Sequence, residues 1–274
     1  MPELPEVETV RRSLMPHVVG TTVARAKFSR PEILEIDQAA DPAEFSVGAE
    51  ITGLGRKGKY LLIQLDCSRG WAVHFGMSGT MVHYPDGSAP IDMHTHVVWG
   101  LNDGATLCYR APRRFGRWIA WPEADVSRAL GDRVGTDALD PELDAGGLAD
   151  LLGQSRSPIK CRLLDQTRVA GLGNIYVDEA LFCAGISPTR RASSLGDDEW
   201  SSLFHSVREV LGGAIGRRGT TFAAFRDGQG REGENGRHLQ VYGRAGRKCP
   251  RCAELIERTV LGGRGTHYCP GCQN

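Results

Sequence analysis

Several things are missing from this chain. Its 274 residues carry no net charge, with 33 Lys and Arg against 33 Asp and Glu, so the global balance gives no sign of a polyanionic partner. No apolar run approaches the ~18–20 residues that a membrane-spanning helix requires. The first residues are acidic and lack the basic and apolar regions of a secretory leader. A disulfide framework is missing too, although the chain holds eight cysteines. Cys67, Cys108, Cys161 and Cys183 stand alone, and Cys249, Cys252, Cys269 and Cys272 form two close pairs. That is the arithmetic of a metal site in a reducing compartment, not of a secreted scaffold. A dinucleotide fingerprint is also lacking. Gly171-x-Gly173 has no third glycine and follows no clear parallel strand, so a Rossmann reading fails. No internal repeat is evident.

Charge returns locally. Residues 217–274 hold eleven Lys and Arg against five Asp and Glu, a local +6 that leaves −6 on residues 1–216. A basic C-terminal segment on an acidic body suggests an anion-binding face, with scattered solvated arginines as the even alternative. After an opening helix with Val7, Val10 and Leu14 at helical spacing come short β-like runs. They are Thr21 to Phe28, Lys59 to Leu65, Trp71 to Phe75, His96 to Trp99 and Ala105 to Tyr109, the last two flanking the hairpin signal Asn102-Asp-Gly104. Such spacing predicts a β-sandwich or barrel over residues 1–125. Glu123 to Gly147 is acidic and contains Gly and Pro, and reads as a connection, with 126–147 as its bounds. The period then becomes helical at Leu148, Leu151 and Leu152, at Leu163 and Leu164, at Val177 to Phe182, and from Asp197 to Ile215. Residues 148–236 therefore form a helical domain, ending in the polar, Gly-rich stretch Gly228 to Gly236, read as a mobile loop. Residues 237–274 hold the paired cysteines.

Cys249-Pro-Arg-Cys252 and Cys269-Pro-Gly-Cys272 are sixteen residues apart. Four thiolates at that spacing can close one tetrahedral Zn2+ on a β-hairpin, and four protein ligands leave no position for water, so the metal is structural. Between the pairs, Gly263-Arg-Gly-Thr266 offers Arg264 on a turn, suited to a groove or a phosphate or simply exposed. Val169-Ala-Gly-Leu-Gly-Asn-Ile-Tyr176 leads into a helix. Its glycines allow backbone N–H groups to approach a phosphate, or make a tight helix–helix turn. By composition Met77 and Phe115 belong in the core, Arg56-Lys-Gly-Lys59 is a basic turn, and His74, His94 and His96 are structural histidines.

The opening stretch, Met1-Pro-Glu-Leu-Pro-Glu6, permits two readings. Pro5 suits a first helical position and Glu6 and Glu8 suit the helix dipole. Removal of Met1, which a small second residue normally permits, leaves Pro2 with a free amine. A terminal amine has a reference pKa of about 7.7–8.0 against about 10.4 for lysine. Roughly a tenth of it is the neutral nucleophile at pH 7, ready to condense with an aldehyde carbon.

These motifs, in this order and over nearly the whole chain, resemble the Fpg/Nei DNA glycosylases. The resemblance rests on Pro2-Glu3, on Lys59-Tyr-Leu-Leu, His74-Phe-Gly-Met77 and Pro112-Arg-Arg-Phe-Gly116, on the Gly171 to Pro188 element, on Leu239-Gln-Val-Tyr242-Gly-Arg244, and on the cysteine pairs. It implies an α+β protein of two domains. An N-terminal β-sandwich carries the N-terminal helix, and a C-terminal helix-two-turns-helix domain carries the zinc-finger hairpin. It implies catalysis by Pro2 and Glu3 with assistance from Lys59 and support from Glu6. Phosphate would meet His74, Lys160, Asn174 and Arg264, with Tyr242 also at the DNA. Met77, Arg113 and Phe115 would fill the gap left by an extruded base. The partner would be double-stranded DNA with oxidised bases or abasic sites, the protein a monomer, and its place the bacterial cytoplasm, on the nucleoid through DNA. Leu4 points to the purine-lesion branch. Ala111 stands where the family commonly has Asp, and residues 228–237 lack the Gly-Tyr-Phe type sequence of the family's lesion loop. The rival readings are an oxidised-pyrimidine glycosylase and a non-catalytic zinc protein that binds damaged DNA.

Overall fold

Helix α1 (Leu4–Val18) begins one residue before Pro5, where the sequence reading starts it. Pro5 lies in its first turn, and Glu3 and Glu6 form a reciprocal capping box that satisfies two backbone N–H groups no helix can serve internally. Val7, Val10, Leu14 and Val18 are buried, which confirms the apolar stripe and extends it by one turn. The computed structural model describes residues 2–66, 68–121 and 126–274, so Met1, Cys67 and residues 122–125, including the start of the connection read at Glu123, lie outside the described residues.

Among the described residues, nine strands follow, β1 (Val23–Phe28), β2 (Leu34–Glu35), β3 (Ile51–Lys57), β4 (Tyr60–Leu65), β5 (Gly70–His74), β6 (Thr80–Tyr84), β7 (Thr95–Leu101), β8 (Thr106–Arg110) and β9 (Arg117–Trp121), with the short helix α2 (Pro42–Ser46) between β2 and β3. One sheet runs β1-β7-β8-β6 and the other β2-β9-β5-β4-β3. Their inner faces and α1 share one core. Aromatic rings bridge the sheets: Trp118 of β9 meets Trp99 of β7 at 5.6 Å and Tyr109 of β8 at 5.5 Å, both edge-on. Such edge-to-face pairs add to an already large apolar burial. The sandwich is as expected. Strands β2, β3, β6 and β9 are additional to the runs read from the sequence.

The second unit contains the short parallel pair β10 (Thr136–Asp137) and β11 (Val169–Ala170), with helices α4 (Ala145–Leu152), α5 (Ile159–Leu163), α6 (Asn174–Ala184) and α7 (Asp197–Gly216). The five-residue helix α3 (Val126–Leu130) precedes them. A hairpin of β12 (Glu257–Leu261) and β13 (Arg264–Tyr268) follows. Gln166 organises the two turns before α6. Its amide donates to the carbonyls of Leu164 and Leu172, and its oxygen accepts from Gly171 N–H. Gly171 has φ +111°, a conformation that excludes most side chains.

The chain divides differently from the sequence reading. One compact unit comprises residues 1–131 together with 217–234, the other 132–216 together with 235–274. The Gly-rich segment therefore returns to the first unit. Backbone hydrogen bonding explains why. Gly228 N–H donates to Ser13 Oγ of α1 at 2.8 Å, and its carbonyl accepts from His83 N–H of β6 at 2.8 Å. Asp227, fully buried, accepts from Gln229 N–H, Arg231 N–H and Arg231 Nε, each at 2.9 Å. The stretch read as a mobile loop is thus a pinned turn.

Candidate active site and nucleic-acid interface

Pro2 and Glu3 are buried at the N-terminal end of α1, Glu3 to 3% and Glu6 to 1% exposure. Glu6 uses its two oxygens on two different segments. Oε2 accepts Glu3 N–H at 2.8 Å and Oε1 accepts Thr220 N–H at 2.7 Å. Gly219, at φ +75°, lies so close that a Cβ there would meet Glu6 Oε1 at 2.9 Å. One carboxylate therefore fixes the backbone of its neighbour Glu3 and anchors the 217–234 segment at the same place.

Lys59 sits in the two-residue turn between β3 and β4, bracketed by the pair Lys57↔Tyr60. Gly58 takes the first turn position with φ +55°, which a tight hairpin demands of it. Lys59 is 6% exposed. His74 at the end of β5 lies near enough to feel that charge. Burial, then the Lys59 ammonium and the Arg117 guanidinium, push its imidazole down to about 4. It is neutral near pH 7. Its Nδ1 accepts Gly76 N–H at 3.2 Å, which leaves the proton on Nε2 as the donor available to a phosphate.

Met77 and Phe115 are not core residues. They are 44% and 55% exposed, because each rides a turn that closes against the other. A Cβ on Gly76 would strike the Phe115 and Gly116 backbone, and Arg113 N–H donates to Ser78 Oγ at 3.3 Å. The Arg113 guanidinium lies over the Phe115 ring, 5.2 Å from its centroid. Two apolar side chains and a cation thus project from one edge of the sandwich. Ala111, buried to 1%, holds this turn through its backbone. Its carbonyl accepts from Arg114 N–H at 2.9 Å and lies 3.0 Å from His96 Nε2. The loop is therefore anchored without a carboxylate at position 111.

In the second unit, consecutive acids of α6 organise two remote segments. Asp178 accepts Lys160 Nζ at 2.6 Å and His267 N–H at 2.8 Å. Glu179 accepts the N–H groups of Gln240, Val241 and Tyr242 at 2.8, 2.9 and 2.8 Å. Burial pushes the Glu179 carboxyl up, against the pull of those three donors. Asn174 opens α6 and donates from Nδ2 to Gly265 O at 2.9 Å. Lys160 Nζ reaches the same carbonyl at 3.1 Å. The direct phosphate grip expected of Lys160 is not what this arrangement offers. Its side chain is fully buried and its charge is neutralised by Asp178, so it acts as a strut under the hairpin. Arg264, by contrast, is exposed at the start of β13, after Gly262 (φ +54°) and Gly263 (φ +73°) turn the chain. The Tyr242 ring packs edge-on against His267, centroids 5.0 Å apart.

The four Sγ atoms of Cys249, Cys252, Cys269 and Cys272 lie within 4.8 Å of one another. A tetrahedron with Zn–S bonds of about 2.3 Å has edges of about 3.8 Å. Cys249 and Cys272 meet that at 3.8 Å, and Cys252 and Cys269 lie slightly inside it at 3.4 Å. The donor set fits one structural Zn2+ and leaves no open position.

Three family models match in chain order: the formamidopyrimidine-DNA glycosylase N-terminal domain at residues 1–118, its H2TH domain at 134–226, and a zinc finger found in FPG and IleRS at 246–274. A formamidopyrimidine-DNA glycosylase of Moorella thermoacetica is 48% identical over 262 residues, 94% of each chain. The chain belongs to the formamidopyrimidine-DNA glycosylase family. Among solved structures, a Lactococcus lactis FPG mutant in complex with Fapy-dG DNA matches all of both chains with a TM-score of 0.90 at 33% identity. A MutM in complex with carbocyclic 8-oxo-G DNA matches all of both chains with 0.89 at 34%.

Within that family frame, sequence reasoning missed several functional supports. Asp178 and Glu179 were visible only as part of a motif, and apart from Lys160, 18 residues before Asp178, their partners lie 61 to 89 residues away. The Thr220 contact to Glu6 spans 214 residues. The Gly219-Thr220-Thr221 run was the signal available, since a glycine beside two small hydroxyl residues marks a close backbone approach. Phe222 was overlooked as well. It is 61% exposed in the first unit, between Thr221, whose hydroxyl bonds Phe225 O at 3.1 Å, and the buried Phe225.

Proposed function

We propose that this chain is a bifunctional DNA glycosylase and AP lyase of base excision repair, acting on oxidised purines such as formamidopyrimidines and 8-oxoguanine. The observation that carries the reading is the buried Pro2-Glu3 start of α1, held by the double acceptor Glu6, in a chain of this family. No helix among the described residues is long and apolar enough to cross a membrane. The proposed setting is the bacterial cytoplasm, on the nucleoid through DNA, as a monomer.

The steps follow from the residues. A damaged nucleotide leaves the stack, which costs a few kcal/mol of unstacking. Met77 and Phe115 fill the gap, and Arg113 faces the widowed base. The exposed Phe222 offers the extruded base an apolar face, in place of the aromatic missing from residues 228–237. Neutral Pro2 attacks C1′ of the deoxyribose. The N–C1′ bond forms, and the glycosidic bond breaks with its electron pair leaving on the base. Glu3 delivers a proton to the sugar ring oxygen or the base, so the ring opens and an iminium remains. The iminium acidifies the C2′ proton. Its loss expels the 3′ phosphate, and a second elimination expels the 5′ phosphate. Lys59 binds a phosphate beside the lesion and disfavours protonation of the Pro2 amine. His74, Asn174 and Arg264 hold further phosphates, and Tyr242 supports the hairpin. Zinc shapes the finger and does no chemistry.

Borohydride reduction tests the reading. Wild type should become covalently attached to 8-oxoguanine or abasic duplex, and Pro2→Gly should lose base release. Binding of damaged duplex without trapping or cleavage refutes an enzymatic role. Competition among formamidopyrimidine, 8-oxoguanine and thymine glycol duplexes ranks the lesions, and preference for thymine glycol overturns the purine assignment.

A further inference from the structure

Glu8, one residue past the active-site helix turn, gathers three guanidinium groups. Arg11 binds it with two nitrogens, Nε to Oε2 at 2.9 Å and Nη2 to Oε1 at 2.7 Å. Arg12 Nε reaches Oε1 at 2.7 Å. Arg56 Nε reaches Oε2 at 3.3 Å, and its Nη1 donates onward to Gly58 O at 3.1 Å. Charge neutralisation does not need three cations. The bidentate Arg11 already compensates a partly buried carboxylate. Arg12 is 60% exposed, as a solvated i,i+4 pair would be. Arg56 is different, because its side chain is only 11% exposed and it comes from β3, 48 residues away. Nothing about neutralising Glu8 calls for desolvating a third arginine.

Position gives a reason. Helix α1 carries Pro2 and Glu3 at its start and packs on β3 and β4. Arg56 is the penultimate residue of β3, and Gly58 and Lys59 make the turn that follows. The planar guanidinium therefore bridges a carboxylate on the helix of the nucleophile and a carbonyl in the turn of the active-site lysine. We propose that Glu8 and Arg56 are positioning residues that set where the Lys59 ammonium stands relative to the Pro2 amine.

The geometry is well suited to this. A two-residue turn pivots about its strand ends, and a carbonyl bond inside the turn removes that freedom. Arg11 Nη1 also donates to Leu54 O at 3.3 Å, so the same helix face is fastened to β3 at a second level. The Glu8 carboxyl is held down to about 2, despite burial, by Arg11 and Arg12 and then Arg56, so the link stays charged across the working pH range. His74 lies in the field of both Lys59 and Arg117, and Glu3 and Glu6 form the capping box at the start of the same helix as Glu8. Misplacing a charge by about an ångström is enough to change catalysis many-fold.

The inference rests on the assigned role of Lys59, and the experiment separates the two. Single-turnover imine trapping on abasic duplex is measured against pH for wild type, Lys59→Met, Arg56→Ala, Arg56→Lys, Glu8→Gln and Arg12→Ala. DNA affinity and thermal melting are measured alongside. A displaced lysine ceases to disfavour protonation of the Pro2 amine, so the acid limb of the profile moves to higher pH. Arg56→Ala and Glu8→Gln should show that move and slow trapping about 10- to 100-fold, with affinity within about threefold. Arg56→Lys keeps one contact of two and should fall between. Arg12→Ala should match wild type. Either Glu8→Gln or Arg56→Ala suffices if the other is unstable. A lower melting temperature with an unmoved acid limb overturns the positioning role and leaves a structural one. If Lys59→Met itself leaves the limb unmoved, the lysine assignment fails and this inference falls with it.

Discussion

Replacing Asp178 by Ala distinguishes a strut from a phosphate contact at Lys160. Both side chains are fully buried and their charged atoms are 2.6 Å apart. Removing the carboxylate takes the counter-charge from a buried ammonium that also donates to the Gly265 carbonyl, and frees His267 N–H. Breaking a buried pair from one side costs about 3–5 kcal/mol. The unit that holds it has roughly 125 residues, and at about 2.1 cal/mol/K per residue its unfolding entropy is about 0.26 kcal/mol/K. Asp178→Ala should therefore lower the melting temperature by about 10–20 °C. The double variant Lys160→Met/Asp178→Leu replaces the pair with apolar volume and should recover most of that loss, since buried ion pairs are often no better than such replacements. DNA affinity should fall in the double variant, because His267 N–H loses its acceptor and Gly265 keeps the Asn174 bond but not the Lys160 one, so the Arg264 hairpin loses two of its ties. The salt dependence supplies the contrary outcome. If Lys160 instead binds a phosphate directly, Lys160→Met leaves melting unchanged and reduces the slope of log K against log salt by about one. That pair of results refutes the strut.

Other outcomes follow from single contacts. Thr220→Pro removes the N–H that Glu6 accepts, a bond to a charged group worth about 1.5–3 kcal/mol; base release should slow by at least about tenfold in single-turnover assays, and an unchanged rate shows that the contact does not serve catalysis. Met77→Ala and Phe115→Ala should leave stability within about 0.5 kcal/mol, as exposed positions do, while slowing excision from duplex far more than from a lesion in single-stranded DNA. His74 titrates near 4 when folded and near 6.5 when not. The unfolded chain binds more protons between those values, so His74 adds stability that is fully present above about pH 6.5 and is lost as pH falls through 4; His74→Gln should flatten the acid side of a stability-versus-pH curve in that window. Cys249→Ser should lose both bound metal and DNA affinity, and retained zinc contradicts the four-thiolate site. Intact-mass analysis should find Met1 removed in active protein, and material that keeps Met1 should not trap.

The sequence made α1, the helical unit and the zinc site legible because each is a local pattern. A capping box, an apolar stripe and a pair of Cys-x-x-Cys turns are written within a few residues. Strand β3 was not legible, because Gly53 and Gly55 depress strand propensity; their place in the ladder is fixed by Gln64 and Leu62 across the pair. Met77 and Phe115 misled composition for a related reason. Hydrophobic side chains are normally read as core, and nothing local says that two turns will meet backbone to backbone at Gly76 and push them outward. The segment 228–236 looked mobile because it is rich in glycine and polar groups. Ser13, His83 and Asp227 pin it, and the first two lie about 215 and 145 residues earlier.

The long-range supports share one chemistry. Glu6, Glu8, Asp178 and Glu179 are all buried, and each holds backbone or side-chain donors from segments distant in sequence. Apolar packing brings elements together without fixing direction. A carboxylate with two or three donors fixes both distance and orientation, at the cost of desolvating a charge. Glu179 makes the case most sharply. Its three partners are consecutive backbone N–H groups, so a glutamine there would set one donor against another and leave an N–H unserved. A leucine of similar volume would leave all three. Carboxylates at these four positions are therefore tied to the placement of Pro2, Lys59 and the Arg264 hairpin, and not to the hydrophobic core, which tolerates apolar repacking that keeps its volume and pattern.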